Sequence, residues 1–507
     1  MKIPNEVKNI LTKLQEAGFE AYAVGGCVRD LLMAKKPKDW DVATNALPEQ
    51  IQQIFPESFY ENKFGTVTVK SQKLKVESKN GNLKNIESQD DNLEFVEVTT
   101  YRVDEKYTDK RHPDAVRFTP NLKEDLARRD FTINAIAMDL TGKIIDPFTG
   151  QKDLSDGLIR AVGEPDKRFN EDALRMLRTV RFSVELSFVE QVPQKIVKQS
   201  FSIELKTKEA IKKNAAWLQA IAKERVRDEF VKIIMSEWPD EGMLLLHKLG
   251  LLQYVIPELE KGFGVAQNKH HIYSIFEHGI FSLKFAAQKK YNLTVRLAAL
   301  LHDVAKPQAK RGEGEEATFY NHDIMGARAA TRILERLHFN NETIGQVANL
   351  IRHHMFVYDV GAVTPAAVRR LLVRVGPENI NDLIALRVAD RLGSGVPKAQ
   401  PYRLRHFQYM AEKVQHDPLS AKMLKINGSI IMTLLKIEPG PKIGAILDVL
   451  LAEVIDDPSR NNDKYLRDRA LRLNAIDLVD LRRLSKEKIA EKKEIDDLLI
   501  KNKYWVN

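Results

Sequence analysis

Disulfides are the first thing the sequence excludes. Its 507 residues hold one cysteine, Cys27, so no bridge can form within the chain. That fits a reducing compartment. Also missing is any apolar run near the roughly 18 residues that a membrane-crossing helix needs, so no membrane partner is expected. There is no leader pattern either: Val7, Ile10, Leu11 and Leu14 have amphipathic helix spacing instead. The expected location is the cytoplasm. No internal repeat is evident, and nothing in the chain signals an oligomeric state. Strong charge of one sign is lacking. A formal charge of +9 is mild for this length and suits a polyanionic partner without requiring one. What is present is 43% apolar residues, enough for ordinary cores, over a length that suits about three or four domains.

Strand signals concentrate in the first 150 residues. "AYAVGG", "DWDVAT", "GTVTVK", "EFVEVTTY" and "KIIDPF" read as short strands among helices. Residues 71–93 are polar with few apolar anchors, which predicts a mobile insertion between two strands. From Asn170 onward the periodicity is mostly helical, with breaks at "EWPDEG", "GEGEEA", "GVPKAQP" and "IEPGPK". The stretch "LRRLSKEKIAEKKEIDDLLIKNK" predicts a charged, solvated helix. The expected segments are 1–150, 151–265, 266–395 and 396–507.

The segment "VGGCVRDLLMAKKPKDWDVAT" pairs two glycines with two aspartates one residue apart. In a strand, residues i and i+2 share a face, so Asp39 and Asp41 are expected to project together. Two adjacent carboxylates repel unless a cation is shared, and a hard ion such as Mg2+ suits oxygen ligands. Gly25 and Gly26 end the preceding strand, and "CVRDLLM" starts a helix whose N–H groups suit a triphosphate. Arg29, in the first turn, adds a charge-assisted contact. Either half alone is common in turns and solvated strands; the joint pattern is not.

This segment resembles motif A of the class II tRNA nucleotidyltransferase and bacterial poly(A) polymerase superfamily. Later motifs follow in order: "LARRDFTINAIAMD" (126–139) is similar to motif B, "DPFTG" (146–150) to motif C, "EDALRMLRTVRF" (171–182) to motif D and "KERVRDEF" (223–230) to motif E. The resemblance implies an α+β, polymerase-beta-like nucleotidyltransferase head followed by all-α neck, HD and tail domains. It implies in-line attack of an RNA 3′-hydroxyl on a nucleoside triphosphate, with Mg2+ in the head. It assigns Gly26 and Arg29 to the triphosphate, and Arg129 and Asp130 to the ribose and phosphate side. Glu97, in "FVEVTTYR", matches the third acidic position.

Motif D carries its own chemistry. On one helix at about 100° per residue, Asp172 shares a face with Arg175, Arg178 and Arg181, while Ala173, Met176, Leu177 and Val180 form the apolar one. A carboxylate acceptor beside a guanidinium donor can read a base edge. Cytosine and adenine both offer an amino donor beside a ring-nitrogen acceptor, whereas uracil and guanine reverse the order. An Asp172–Arg175 pair therefore selects C and A. Arg178 and Arg181 are expected to meet phosphates or brace the site. The stretches around "YRVDEKYTDKRHPDAVRF" and "LIRAVGEPDKRFNEDALRMLRTVRF" resemble the CCA-adding branch. The resemblance then implies a tRNA 3′ end, CTP and ATP as partners. The alternatives are poly(A) addition and A-only addition.

The second half spaces His278, His302-Asp303, His322, His353-His354 and Asp390 along predicted helices. Mixed imidazole and carboxylate ligands suit Mn2+, Ni2+ or another divalent ion rather than structural zinc. The order resembles the HD phosphohydrolase domain over about 267–395, with His354 fitting better than His353. It implies phosphate-ester hydrolysis by metal-activated water. A rival of another class is therefore an HD phosphohydrolase whose head only binds RNA.

Overall fold

The structure, a computed structural model, describes residues 3–60, 65–70, 76–77, 83–84, 95–105, 115–192, 195–267, 272–395, 400–416 and 424–506. The chain divides into two compact units, residues 1–348 and 349–507. The division falls inside the expected 266–395 segment.

The first unit opens with α1 (Asn5–Glu16), which buries Val7, Ile10, Leu11 and Leu14 as their spacing predicts. There follow β1 (Ala21–Val24), α2 (Gly26–Leu32), β2 (Asp41–Thr44), α3 (Pro48–Ile54), β3 (Ser58–Tyr60), β4 (Thr66–Lys70), β5 (Phe95–Thr100), β6 (Ala137–Met138) and β7 (Ile144–Ile145). The seven strands make one sheet in the order β7-β6-β1-β2-β5-β4-β3. Its one parallel pair, β2 with β5, sets Asp41 opposite Glu97. Period-two burial decides the faces. Val42, Val67, Val96 and Val98 join the core with α1 and α3. Ala43 and Val24 face the other side, against Tyr101, Leu126 and Ala137. Asp41, next to Val42 in the strand, lies on that second side.

The strand β2 begins only at Asp41, so Asp39 sits in the bend before it rather than in the strand. The expected 71–93 insertion lies outside the described residues, apart from Val76–Glu77 and Leu83–Lys84, which pair antiparallel. A hairpin, Arg102–Glu105 with Ala115–Phe118, leads to α4 (Leu122–Ala127), capped by the Asn121 side chain.

Beyond residue 150 the unit is largely helical, with α5 (Pro165–Glu171), α6 (Leu174–Glu185), α7 (Lys223–Met235), α8 (Ile275–Gln288), α9 (Leu293–Leu301) and α10 (His322–Arg336) among its helices. A hairpin that the helical periodicity did not signal joins Phe188–Val192 to Lys195–Gln199. The single helix expected over 171–182 is broken. Helix α5 stops at Glu171, Asp172 is extended (φ −141°, ψ 105°), and α6 starts at Leu174. The Asp172 carboxylate accepts the Leu174 N–H at 3.1 Å. A short acid that bonds nearby backbone competes with helix continuation, which is why the break falls here.

The second unit is all helical among its described residues. Ile431, Ile446, Leu450, Leu466, Leu473 and Leu481 form its core. Asn427, Asn462 and Asp477 cap three of its helices with their side chains. The charged stretch read above lies in the helix Leu478–Tyr504. No described helix is long and apolar enough to cross a membrane.

Candidate active site and candidate metal centre

A cleft of about 440 Å³ opens in the first unit where the sheet meets α2, α6 and α7. Seven arginines line it (29, 128, 129, 175, 178, 181 and 225) against three aspartates, Asp41, Asp130 and Asp172. Gly25 and Gly26 form part of its wall. Gly25 has φ +79°, and a Cβ there would stand 2.8 Å from the Arg129 guanidinium. Only glycine allows both the turn and that approach. Excess positive charge in a concave site suits a polyphosphate.

Of the three expected catalytic acids, Asp39, Asp41 and Glu97, it is Asp41 that lines the cleft. Burial pushes its carboxyl up, Arg129 pulls it down, and the Asp39 charge nearby pushes it up again. Glu97 is level with Asp41 on the neighbouring strand, at an exposed position. In-register residues of adjacent strands share a face, so Glu97 is on the Asp41 side of the sheet. A half-buried carboxylate whose nearest acidic neighbour disfavours its charge fits a divalent cation held by Asp39 and Asp41.

The arginines are held by acids rather than solvated. Arg29 bonds Asp30 and the Asn134 side chain, the latter at 2.7 Å. Asp130 is buried and accepts from Phe131 N, Asn134 and both Nε and a terminal nitrogen of Arg178. Burial alone would raise the Asp130 carboxyl, but Arg178, Asn134 and Arg175 outweigh it and hold it below the ordinary range. Arg181 is buried between Glu185 and Glu229, at 2.7 and 2.6 Å, and stacks on Phe182. Arg178 and Arg181 are thus both held in ion pairs.

Asp172 and Arg175 both line the cleft, and the Arg175 N–H donates to the Asp172 carbonyl at 3.1 Å, but their side chains do not bond each other. Arg175 is fixed by Glu171 at 2.8 Å and by the carbonyls of Arg168 and Arg128. Asp172 is fixed by Arg225. The expected common helical face is therefore replaced by two separately anchored groups. Sequence reasoning missed Arg128, Asn134, Phe182 and Arg225. The first two lie in the motif B stretch and the last in motif E, so proximity to those motifs was the available signal.

A second cluster lies elsewhere in the first unit. His278 on α8, His302 and Asp303 after α9, and His322 at the start of α10 are all buried. The Nε2 atoms of His278 and His302 are 3.0 Å apart, and each is 3.3 Å from Asp303 Oδ2. His322 Nε2 is 3.5 Å from Asp303 Oδ1. The Nδ1 atoms of His302 and His322 lie 2.9 and 2.6 Å from the carbonyls of Ala299 and Phe319. A carbonyl can only accept, so Nδ1 carries a proton in each ring and Nε2 is the atom turned toward Asp303, where it can ligate a metal whenever the ring is neutral. Burial would raise the Asp303 carboxyl, but His302 and Lys306 outweigh it and hold it well below the ordinary range. His278, His302 and Asp303 have the donor set and spacing for a metal ion. His354 and Asp390 belong to the second unit. There His354 is buried with Nδ1 2.7 Å from the Ile351 carbonyl, and Asp390 bonds Arg387. His353 is instead half-buried, bonded to the Asn349 carbonyl.

Comparison with known proteins gives three family matches along the chain. Residues 21–160 match the Poly A polymerase head domain, 200–263 the probable RNA and SrmB-binding site of polymerase A, and 275–394 the HD domain. Head and HD domains together imply dependence on divalent metal. The chain is 42% identical over 286 residues to a CCA-adding enzyme of Ligilactobacillus salivarius (strain UCC118), covering 55% of this chain and 61% of that protein. It is 31% identical over 463 residues to a CCA-adding enzyme of Limosilactobacillus reuteri (strain DSM 20016), covering 91% of this chain and 94% of that one. Its fold is similar to the crystal structure of Bacillus stearothermophilus CCA-adding enzyme in complex with CTP, with a TM-score of 0.58 and 26% identity over 94% of this chain and 98% of the other. With the reuteri protein matched along nearly its whole length, the chain belongs to the family of CCA-adding enzymes.

Proposed function

We propose that this protein adds CMP, CMP and AMP, from CTP and ATP, to the 3′ end of tRNA in the cytoplasm. The observation that carries the reading is the convergence of Asp41, the arginine cradle, Asp172 and Arg175 on one cleft. Asp39 and Asp41, with Glu97 beside them, would hold Mg2+ in the head. The reading is two-metal nucleotidyl transfer: when bound, one Mg2+ would acidify the attacking 3′-hydroxyl and the other would neutralise the pyrophosphate leaving group. Arg29, Arg129 and the Gly25–Gly26 backbone take the triphosphate. Asp130, engaged by Arg178, positions that arginine rather than the ribose. Asp172 accepts the exocyclic amine of cytosine or adenine, and Arg175 donates to the ring nitrogen; uracil and guanine present the opposite order. The segments 1–150, 151–265, 266–395 and 396–507 then serve as head, neck, HD domain and tail.

The convergent Nε2 atoms around Asp303 support a second activity, phosphate-ester hydrolysis with Mn2+, Ni2+ or another transition metal held by His278, His302 and Asp303. His322 is a further candidate ligand there, and His354 and Asp390 are candidate ligands carried by the second unit. The assay for the main reading supplies tRNA lacking its 3′ end with each labelled triphosphate in turn. CTP should be incorporated alone, ATP only after CTP, and UTP and GTP not at all. Incorporation of ATP alone onto any RNA end would mean poly(A) addition instead.

A further inference from the structure

Asp172, one of the two proposed readers of the base edge, sits where nearby backbone offers its carboxylate a single hydrogen bond, from the Leu174 N–H. It lies between α5 and α6, extended and outside both helices. A side chain at such a junction keeps rotamer freedom that a helical residue loses. A reader of base edges must instead present its acceptor at one place, since selection rests on the order of donor and acceptor along the edge.

The missing constraint comes from 53 residues downstream. Arg225, in the first turn of α7, sets its two terminal nitrogens against the two Asp172 oxygens, at 3.3 and 2.8 Å. Both groups are largely buried, with side chains 27% and 14% exposed. A carboxylate has about four lone-pair sites. The Arg225 fork takes two and the Leu174 N–H a third. One acceptor site remains on a residue that lines the cleft. Arg175, by contrast, is held without any help from Arg225. The base-facing donor and acceptor thus have independent anchors, and α7 supplies the one for the acceptor.

We propose that Arg225 is a positioning residue for nucleotide selection, acting through Asp172 by fixing its carboxylate in one orientation with a single free acceptor site. The inference rests on Asp172 reading the base. A two-nitrogen fork onto two oxygens is what a lysine cannot reproduce.

The test measures the ratio of kcat/KM for UTP and GTP to that for CTP, on tRNA lacking its 3′ end, in wild type, Arg225→Met, Arg225→Lys, Asp172→Ala and the Arg225→Met/Asp172→Ala pair. Arg225→Met should raise the wrong-base ratio about tenfold, and Arg225→Lys should raise it less. The double variant should match Asp172→Ala alone, because Arg225 has nothing left to orient. A purely structural arginine would lower turnover with every triphosphate alike and leave the ratio unchanged. Wild-type ratios in folded Arg225→Met and Arg225→Lys, with a raised ratio in Asp172→Ala, would overturn the proposal while sparing Asp172. Wild-type ratios in Asp172→Ala would instead overturn the base-reading assignment and this proposal with it. If Arg225→Met does not fold by circular dichroism, Arg225→Lys decides: an unchanged ratio overturns the proposal and a raised one supports it.

Discussion

At the scale of single residues, the cleft depends on atoms that are absent as much as on those present. Gly25 lacks the Cβ that would collide with Arg129, and its φ of +79° is one that other residues adopt at a cost. Gly25→Ala should lower stability by about 1–2 kcal/mol and push Arg129 away from the triphosphate site. Thermal melting and the KM for CTP report the two effects separately: Tm should fall and KM should rise. An unchanged KM would mean that Arg129 does not contact the nucleotide. Much of this was legible in the sequence. A glycine pair before a helix and an Asp-x-Asp before a strand are local patterns, and local patterns survive in one dimension. The partners of those residues were not legible. That Asp130 holds Arg178 across 48 residues, and Arg225 holds Asp172 across 53, depends on packing that no spacing rule encodes.

At the scale of elements, the turn between α5 and α6 shows where pattern reading stops. The apolar spacing of Met176, Leu177 and Val180 gave the buried face of α6 correctly, because burial follows periodicity. It did not reveal the break at Asp172, since a side-chain hydrogen bond to backbone two residues on leaves the hydrophobic period intact. The same junction is pinned to the head through the Asp130–Arg178 pair. The Asp130 carboxyl lies below its ordinary value of 3.8, so the pair contributes stability above the unfolded pKa and loses it as pH falls through the lower folded value. Asp130→Asn cannot ionise. At pH 6 it should be less stable than wild type by about 3 kcal/mol, as expected when a buried pair loses one partner. The gap should narrow as pH drops below about 4. Denaturant melts across that range check it, and a gap independent of pH would show that the charge of Asp130 does not stabilise the fold.

At the scale of the whole molecule, the chain carries two candidate centres of different chemistry. The ligands proposed in the head are all carboxylates, whereas the cluster around Asp303 mixes imidazole and carboxylate. Replacing His302 and Asp303 together by Ala should abolish Mn2+ or Ni2+ retention at that cluster, measured as metal per chain. It should leave CMP and AMP incorporation within about twofold of wild type, because the head ligands and the basic contacts to RNA phosphates are untouched. Loss of incorporation in a folded variant would show that the two centres are coupled. The sequence made the order of head, helical region and HD motif plain, since each carries its own residue signature. It did not reveal that compactness divides the chain near residue 348, a property of contacts rather than of motifs. In the proposed function, one protein cleft, with no nucleic-acid template, dictates a fixed sequence of additions. Sequencing the 3′ ends of tRNA lacking its terminal nucleotides, after incubation with this protein, Mg2+ and all four triphosphates, tests it most directly. The account predicts ends that read C-C-A and stop there. Runs of A, or ends containing U or G at appreciable frequency, would contradict it.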